Sequence, residues 1–360
     1  MKIFYDYKIF IQQSTGGPSR YFIELIKELI ILQKDLKIIS PIYINQYLKE
    51  IDSKYKIGFY INNRKYLGLL VELYNILFSK YLFKNKNYDI LHTTYYSDFL
   101  PQSKKPKVIT VYDLVHEIFS NDFNYKNLPK RKIFDQIDHF ICISENTKND
   151  LIKYYNINEK KISVIYLANF KKDLITEQSN FNLDKPFFLY VGNRRRYKNF
   201  KLLVKAYSNI ANIKNSFKII CFGGDKFLKE ELDYFRQNNI NDENIIQLEG
   251  DDVLLTTLYK KAYALIYTSK YEGFGLPLLE AMSNRCAVIS SNAGSLPEVY
   301  GSAALSFNPD SSDDLMRCLI KITDDSNYHE ELINLGLKRT SLFSWKKCAL
   351  ETYNVYKNLV

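Results

Sequence analysis

Two glutamates, Glu272 and Glu280, bracket the seven residues Gly-Phe-Gly-Leu-Pro-Leu-Leu. Gly273 and Gly275 carry no side chain, so their backbone N–H groups can approach an anion closely. The same segment follows an apolar strand candidate at 264–267 and opens a helix, with Pro277 suited to its first position. A helix N-terminus adds partial positive charge, so the turn makes a nest for a diphosphate. Carboxylates beside such a nest would repel phosphate. They are better read as acceptors for hydroxyl groups, those of a sugar or a ribose. The spacing alone is also that of a glycine-rich turn followed by a helix with solvated glutamates.

A second cluster lies at 190–199, Tyr-Val-Gly-Asn-Arg-Arg-Arg-Tyr-Lys-Asn. A strand ending in glycine, then a basic loop at a helix start, is a phosphate site in chemical terms, with Lys198 its leading cation. Arg195 and Arg196 read more readily as solvated charge. Phe-Gly-Gly-Asp-Lys at 222–226 fits either a nucleotide-lining loop or a tight turn. Tyr112, Asp113 and His116 form a smaller polar group after another strand candidate, and a lone loop histidine is commonly structural or solvated.

Short apolar runs alternate with longer amphipathic stretches, and this pattern must position those residues. Strand candidates fall at 38–40, 90–91, 108–111, 139–143 and 163–166, then at 187–191, 217–221, 245–248, 264–267 and 287–290. Helical periodicity marks 21–32, 148–155, 201–210 and 254–261. The alternation predicts α/β architecture with parallel sheets. The polar, aperiodic stretch 171–185 reads as a linker between residues 1–170 and 186–340. A last amphipathic segment, within 341–360, has Ser344 as its N-cap and could pack back on the first domain. Two Rossmann-like doubly wound domains facing across a cleft are expected, with ligands at the C-terminal strand ends.

The chain has 360 residues and a formal charge of +10, which points to polyanionic partners. The basic residues are spread along both halves, without a zinc finger, RNA-recognition motif or dominant basic helix, so nucleic acid is not expected. Five cysteines stand singly with no CxxC, as in a reduced cytosolic protein. No signal peptide is read at the start, and no apolar run is long enough to span a bilayer. Residues 64–86 interleave Leu, Tyr and Phe with Lys. They fit either a core-facing helix or an interfacial one on anionic lipid.

The sequence resembles the retaining GT-B glycosyltransferases of family GT4 (glycosyl transferases group 1). The resemblance rests on Glu-Gly-Phe-Gly-Leu-Pro-Leu-Leu-Glu at 272–280, Gly-Gly-Pro-Ser-Arg-Tyr-Phe at 16–22 and the Tyr-Val-Gly…Lys-Asn loop. Ser-Asn-Ala-Gly-Ser-Leu-Pro-Glu at 291–298 and Phe-Ser-Trp at 343–345 match later landmarks in the same order. It implies transfer of a sugar, with retention, from a nucleotide-diphospho-sugar to a glycan or lipid-linked hydroxyl, in surface polysaccharide or glycoconjugate synthesis. By resemblance, Lys198 and Arg194 neutralise the donor diphosphate, Glu280 holds the ribose and Glu272 contacts the transferred sugar. Backbone groups at Phe274, Gly275 and Leu276 contact sugar or phosphate, and Gly17 lets the acceptor-side loop approach the diphosphate.

The sequence departs from that pattern in places. Tyr112 stands where the family often has His, leaving His116, Tyr112 or Asp113 to orient the acceptor. Arg285 replaces a usual Gly after the helix that carries Glu280, where Asn284 is expected to supply a left-handed cap, and Ala287 replaces a frequent Pro. No Asp-x-Asp occurs, so no metal is expected, and no cofactor beyond the donor substrate. The expected location is cytoplasmic, with a place at the inner face of a membrane left open. A sugar-nucleotide epimerase or phosphorylase on the same fold, or a non-catalytic nucleotide- or nucleic-acid-binding protein, are the alternatives.

Overall fold

The computed structural model describes residues 1–62, 68–85, 87–97, 100–101, 103–122, 130–170, 183–241 and 243–360. Most of the 171–185 linker and both ends of the 64–86 segment lie outside them. The chain divides into two compact units, Met1–Leu167 with Ser344–Val360, and Ala168–Phe343.

The first unit is built on a seven-stranded sheet of order β3-β2-β1-β4-β5-β6-β7. Its strands are β1 (Lys2–Tyr5), β2 (Asp35–Tyr43), β3 (Lys56–Tyr60), β4 (Ile90–Thr93), β5 (Lys107–Val111), β6 (His139–Cys142) and β7 (Ile162–Val164). Helices α1 (Gly17–Ile31), α2 (Gly68–Asn85) and α3 (Glu145–Tyr155) belong to the same unit. The second unit carries a six-stranded sheet of order β10-β9-β8-β11-β12-β13. It comprises β8 (Phe187–Val191), β9 (Lys218–Phe222), β10 (Ile245–Leu248), β11 (Ala264–Tyr267), β12 (Ala287–Ser291) and β13 (Leu305–Phe307). Its longer helices are α4 (Phe200–Ser208), α5 (Lys229–Gln237), α6 (Asp252–Lys261), α7 (Leu276–Ser283), α8 (Ser312–Asp324) and α9 (Ser326–Thr340).

Every strand pair is parallel. Central strands β4, β11 and β12 are buried along their whole length, which is why β11 reads as a continuous apolar run and the other two begin as one. Three strands are absent from the sequence expectations. β1 is only Lys-Ile-Phe-Tyr, β3 is a half-exposed edge containing Gly58, and β13 is a three-residue edge. None offers a long apolar run.

Helix α10 (Trp345–Leu359) belongs to the first unit, where it packs on α1. Ser344 Oγ caps it, accepting from the Lys347 N–H at 3.1 Å. A buried polar chain joins it to the sheet. His92 Nδ1 meets the Tyr356 hydroxyl at 2.6 Å, His92 Nε2 meets Thr110 Oγ1 at 2.9 Å, and the Tyr5 and Tyr356 hydroxyls meet at 3.1 Å.

The end of α7 corrects one expectation. Asn284 keeps φ −98°, and the left-handed position falls to Arg285 at φ 60°. Arg285 therefore adopts the backbone that a glycine would take there without steric cost. Its guanidinium is held outside by Glu330 at 2.9 Å.

Candidate active site

Strand order places a topological switch point in each sheet, where helical crossovers leave in opposite directions and the loops splay apart. In the second unit that point lies between β8 and β11. The basic loop follows β8 and the glutamate loop follows β11, so residues far apart in sequence converge. Lys198 Nζ lies 2.6 Å from Glu272 Oε1, and each side chain is under one-sixth exposed. The backbones are tied as well: Thr268 Oγ1 donates to the Lys198 carbonyl at 2.8 Å, and the Lys270 N–H donates to the Tyr197 carbonyl at 2.7 Å.

The glutamate loop is shaped by two glycines. Gly275 has φ 104°, and a Cβ there would meet Leu296 Cδ2 at 2.6 Å. Gly294 has φ 57°, and its Cβ would press on the backbone N and O of Glu272 at 3.1 and 3.2 Å. Beside it, Ser295 Oγ donates to the carbonyls of Glu272 (2.8 Å) and Phe274 (3.0 Å). The 291–298 segment thus acts as a buttress for the glutamate loop. Phe274 is buried and packs edge-on against Phe343 at 5.9 Å. Leu276 opens α7, so its N–H lies at the positive end of that helix.

Two buried tyrosines orient the carboxylates. Tyr259, on α6, donates its O–H to Glu280 Oε2 at 2.9 Å. Tyr267, at the end of β11, hydrogen-bonds Glu272. Burial pushes both phenols well above the usual range, and the neighbouring carboxylate charge adds to it. Both stay protonated donors across physiological pH.

Arg194 has a different place from the one expected. It is buried, and its guanidinium contacts Glu231 Oε1 (2.8 Å) and Oε2 (3.5 Å), Gln247 Oε1 (2.6 Å) and the carbonyls of Asp225 (2.5 Å) and Gly223 (3.4 Å). The plane also lies over the Phe227 ring at 4.7 Å. An arginine has five N–H donors, and these acceptors occupy the whole fork. Arg194 therefore pins the β9 loop to α5 and β10, which leaves Lys198 as the cation beside Glu272.

In the first unit, Asp113, His116 and Tyr112 line one pocket of about 360 Å³ with Lys8, Tyr95 and Lys130. Burial lowers the His116 pKa, the Lys130 charge lowers it further, and Asp113 and Glu117 oppose them. The imidazole is neutral at pH 7. Lys130 is fixed by Glu117 at 2.8 Å. Pro18, at the start of α1, lines the same pocket. The adjoining Gly17 faces open space: a Cβ there would meet nothing within 4 Å.

Two family descriptions match consecutive parts of the chain: Glycosyltransferase Family 4 over residues 15–168 and Glycosyl transferases group 1 over residues 171–339. Together they take in every strand of the two sheets except β1. The chain is a glycosyltransferase of this family. O-antigen chain mannosyltransferase B of Escherichia coli is 25% identical, with 97% of this chain and 98% of that protein aligned. O-antigen chain mannosyltransferase RfbU of Salmonella typhimurium is 29% identical over 64% of this chain and 63% of its own. A solved glycosyltransferase from Rickettsia africae superposes with a TM-score of 0.72 at 20% identity, covering 99% of this chain and 98% of that one. At that identity it shows the fold: two parallel-sheet Rossmann-like units of the GT-B type.

The structure of this glycosyltransferase adds residues that motif spacing does not mark. Tyr259, Tyr267, Gly294 and Ser295 hold the two glutamates. In the first unit, buried Asp6 follows β1 at the switch point beside β4, accepting from Thr94 Oγ1 (2.5 Å), the Thr94 N–H (2.9 Å) and Thr93 Oγ1. Burial raises its pKa against those bonds. A tyrosine on another element, 21 residues from its partner, or an aspartate after an unmarked strand carries no sequence signature. Only the Ser-Asn-Ala-Gly-Ser segment was visible, as a landmark without a role.

Proposed function

We propose that the glycosyltransferase moves a sugar from a nucleotide-diphospho-sugar to a glycan or lipid-linked hydroxyl, with retention and without a metal ion or further cofactor. The Lys198–Glu272 pair, 2.6 Å apart at the N-terminal end of α7 and over the switch point of the second sheet, carries this reading. A diphosphate there has a cation and a helix N-terminus to neutralise it, while Glu272 faces the sugar hydroxyls and Glu280 the ribose. Charge that develops on the departing diphosphate is stabilised by Lys198 and the α7 N–H groups. The acceptor oxygen bonds to the anomeric carbon as the bond from that carbon to the phosphate oxygen breaks. The hydroxyl proton passes to the departing phosphate on the same face, so no strong protein base is required.

The pocket of Asp113, His116 and Tyr112 is the acceptor side of this scheme. Its tyrosines offer rings for a sugar face, and Asp113 offers an acceptor for the attacking hydroxyl. Because the E. coli relative named a mannosyltransferase aligns over nearly the full length, nucleotide-activated mannose is the first donor to test and a bacterial surface polysaccharide the first acceptor class. A panel of sugar nucleotides scored by thermal shift identifies the donor, since saturation at about 100-fold over Kd stabilises by about 2.7 kcal/mol. Lys198→Ala and Glu280→Ala are each expected to lower turnover at least about 100-fold, as loss of one charge-stabilising donor does elsewhere. Wild-type turnover in both variants would overturn the assignment. NMR of the product anomer tests retention, and unchanged turnover in chelator tests metal independence.

A further inference from the structure

Helix α2 wears its polarity inside out. A surface helix normally turns its apolar stripe to the core and its polar residues to water. Here the buried face includes Asn75 and Ser79 with Val71, Leu82 and Phe83. Asn75 clamps the helix to β2, its Oδ1 accepting from the Ile42 N–H at 2.8 Å and its Nδ2 donating to the Ile42 carbonyl at 3.0 Å. Four of its leucines point the other way: Leu69 is 84% exposed, Leu70 63%, Leu73 50% and Leu77 57%, joined by Tyr74 and Tyr81. At 100° per residue these six fall on one face. Lys80 and Lys84, both exposed, fall within that face toward its C-terminal end, whereas Glu72 lies off it, paired with Lys8 at 2.7 Å. One side of this segment therefore packs on the sheet, and the other, among the described residues, is apolar and exposed.

We infer that this face of α2 docks the protein on an anionic lipid bilayer. Its composition fits that occupant: leucines to enter the acyl boundary, tyrosines for the headgroup level, two lysines and no carboxylate. The chain's +10 charge favours the same partner. Among the described residues no helix is long and apolar enough to cross a membrane, so α2 lies in the interface and does not span it. The docked end is the pocket end. Lys8 lines the Asp113–His116 pocket and grips Glu72 in the first turns of α2, the same turns that carry Leu69, Leu70 and Leu73. Docking itself does not depend on the transfer chemistry. Delivery of a lipid-linked acceptor to this pocket does rest on the proposed function.

Co-sedimentation of the full chain with vesicles tests the inference. The protein binds vesicles of equimolar phosphatidylglycerol and phosphatidylcholine far better than phosphatidylcholine alone. Leu69→Glu with Leu73→Glu lowers binding at least about tenfold, since two inserted side chains are lost from the apolar face. Lys80→Ala with Lys84→Ala weakens binding to the anionic vesicles about 30-fold, the equivalent of about 1 kcal/mol per lysine. Leu77→Gln, a single exposed change, repeats the test if the double glutamate variant does not fold. The inference is overturned if the wild-type protein ignores anionic vesicles, or if the leucine variants bind them as well as it does. It is equally overturned if the protein forms a lipid-free dimer that those variants disperse, because a second copy then covers the face.

Discussion

Acidification to about pH 5 should cost the first unit about 2 kcal/mol through one buried side chain, His92. Its ring is fully buried, with Nδ1 on the Tyr356 hydroxyl at 2.6 Å and Nε2 on Thr110 Oγ1 at 2.9 Å. No carboxylate stands among these partners, and burial pushes its pKa down to about 3 from the ordinary 6.5. A depressed histidine pKa means that the unfolded chain takes up the proton first. The contribution is fully present above pH 6.5 and is lost as the pH falls from there toward 3. Within that window the slope is about 1.36 kcal/mol per pH unit, so the loss at about pH 5 is close to 2 kcal/mol. Against a typical stability of about 5–15 kcal/mol, that is large enough to measure. The single tryptophan makes the assay selective. Trp345 opens α10 and packs against Tyr21, 6.0 Å between rings, so its fluorescence reports the first unit. Urea unfolding of wild type and His92→Gln at about pH 7.5 and about pH 5 gives the difference directly. His116 and His139, also lowered by burial, titrate in both proteins and cancel. Parallel losses in wild type and variant would refute the argument.

Two further outcomes follow from the supports of the glutamates. Tyr259→Phe removes the hydroxyl that orients Glu280 and leaves its charge in place. Donor KM should rise about tenfold with kcat little changed, as expected for loss of one hydrogen bond that orients bound donor; unchanged KM in steady-state assays would sink the positioning role. Gly294→Ala forces a side chain onto the Glu272 backbone at a left-handed φ. It should cost about 1–2 kcal/mol in stability of the second unit and lower transfer more than that loss explains; normal turnover would show that the buttress is not needed.

Much of the architecture could be read from the chain, because buried parallel strands leave continuous apolar runs. The strands from 187 to 290 are nearly residue-for-residue those observed, and the 272–280 segment opens a helix as its glycines and Pro277 suggest. What stayed hidden lacks that signature. β1 is four residues wedged between β2 and β4, and β3 and β13 lie at sheet edges, where one side needs no apolar partner. Arg285 shows the limit in another way. A left-handed position normally attracts glycine or asparagine, so the neighbouring Asn284 looked like the cap. The turn instead closes one residue later, its small steric cost accepted at an exposed site with Glu330 to hold the side chain.

Arg194 and Lys198 make the physical reason plain. They sit in one basic loop, four residues apart, and carry the same charge. Local sequence cannot separate them, because their roles are set by acceptors supplied elsewhere. Arg194 meets groups from 223, 225, 231 and 247, which the fold brings together on one side of the loop. A planar fork of five donors suits that many fixed acceptors, as a lysine would not. Lys198 meets the carboxylate of Glu272 from the next strand across the switch point. The division of labour between the two cations therefore follows from guanidinium and ammonium geometry once strand order is known: the fork builds the loop, and the point charge pairs with Glu272.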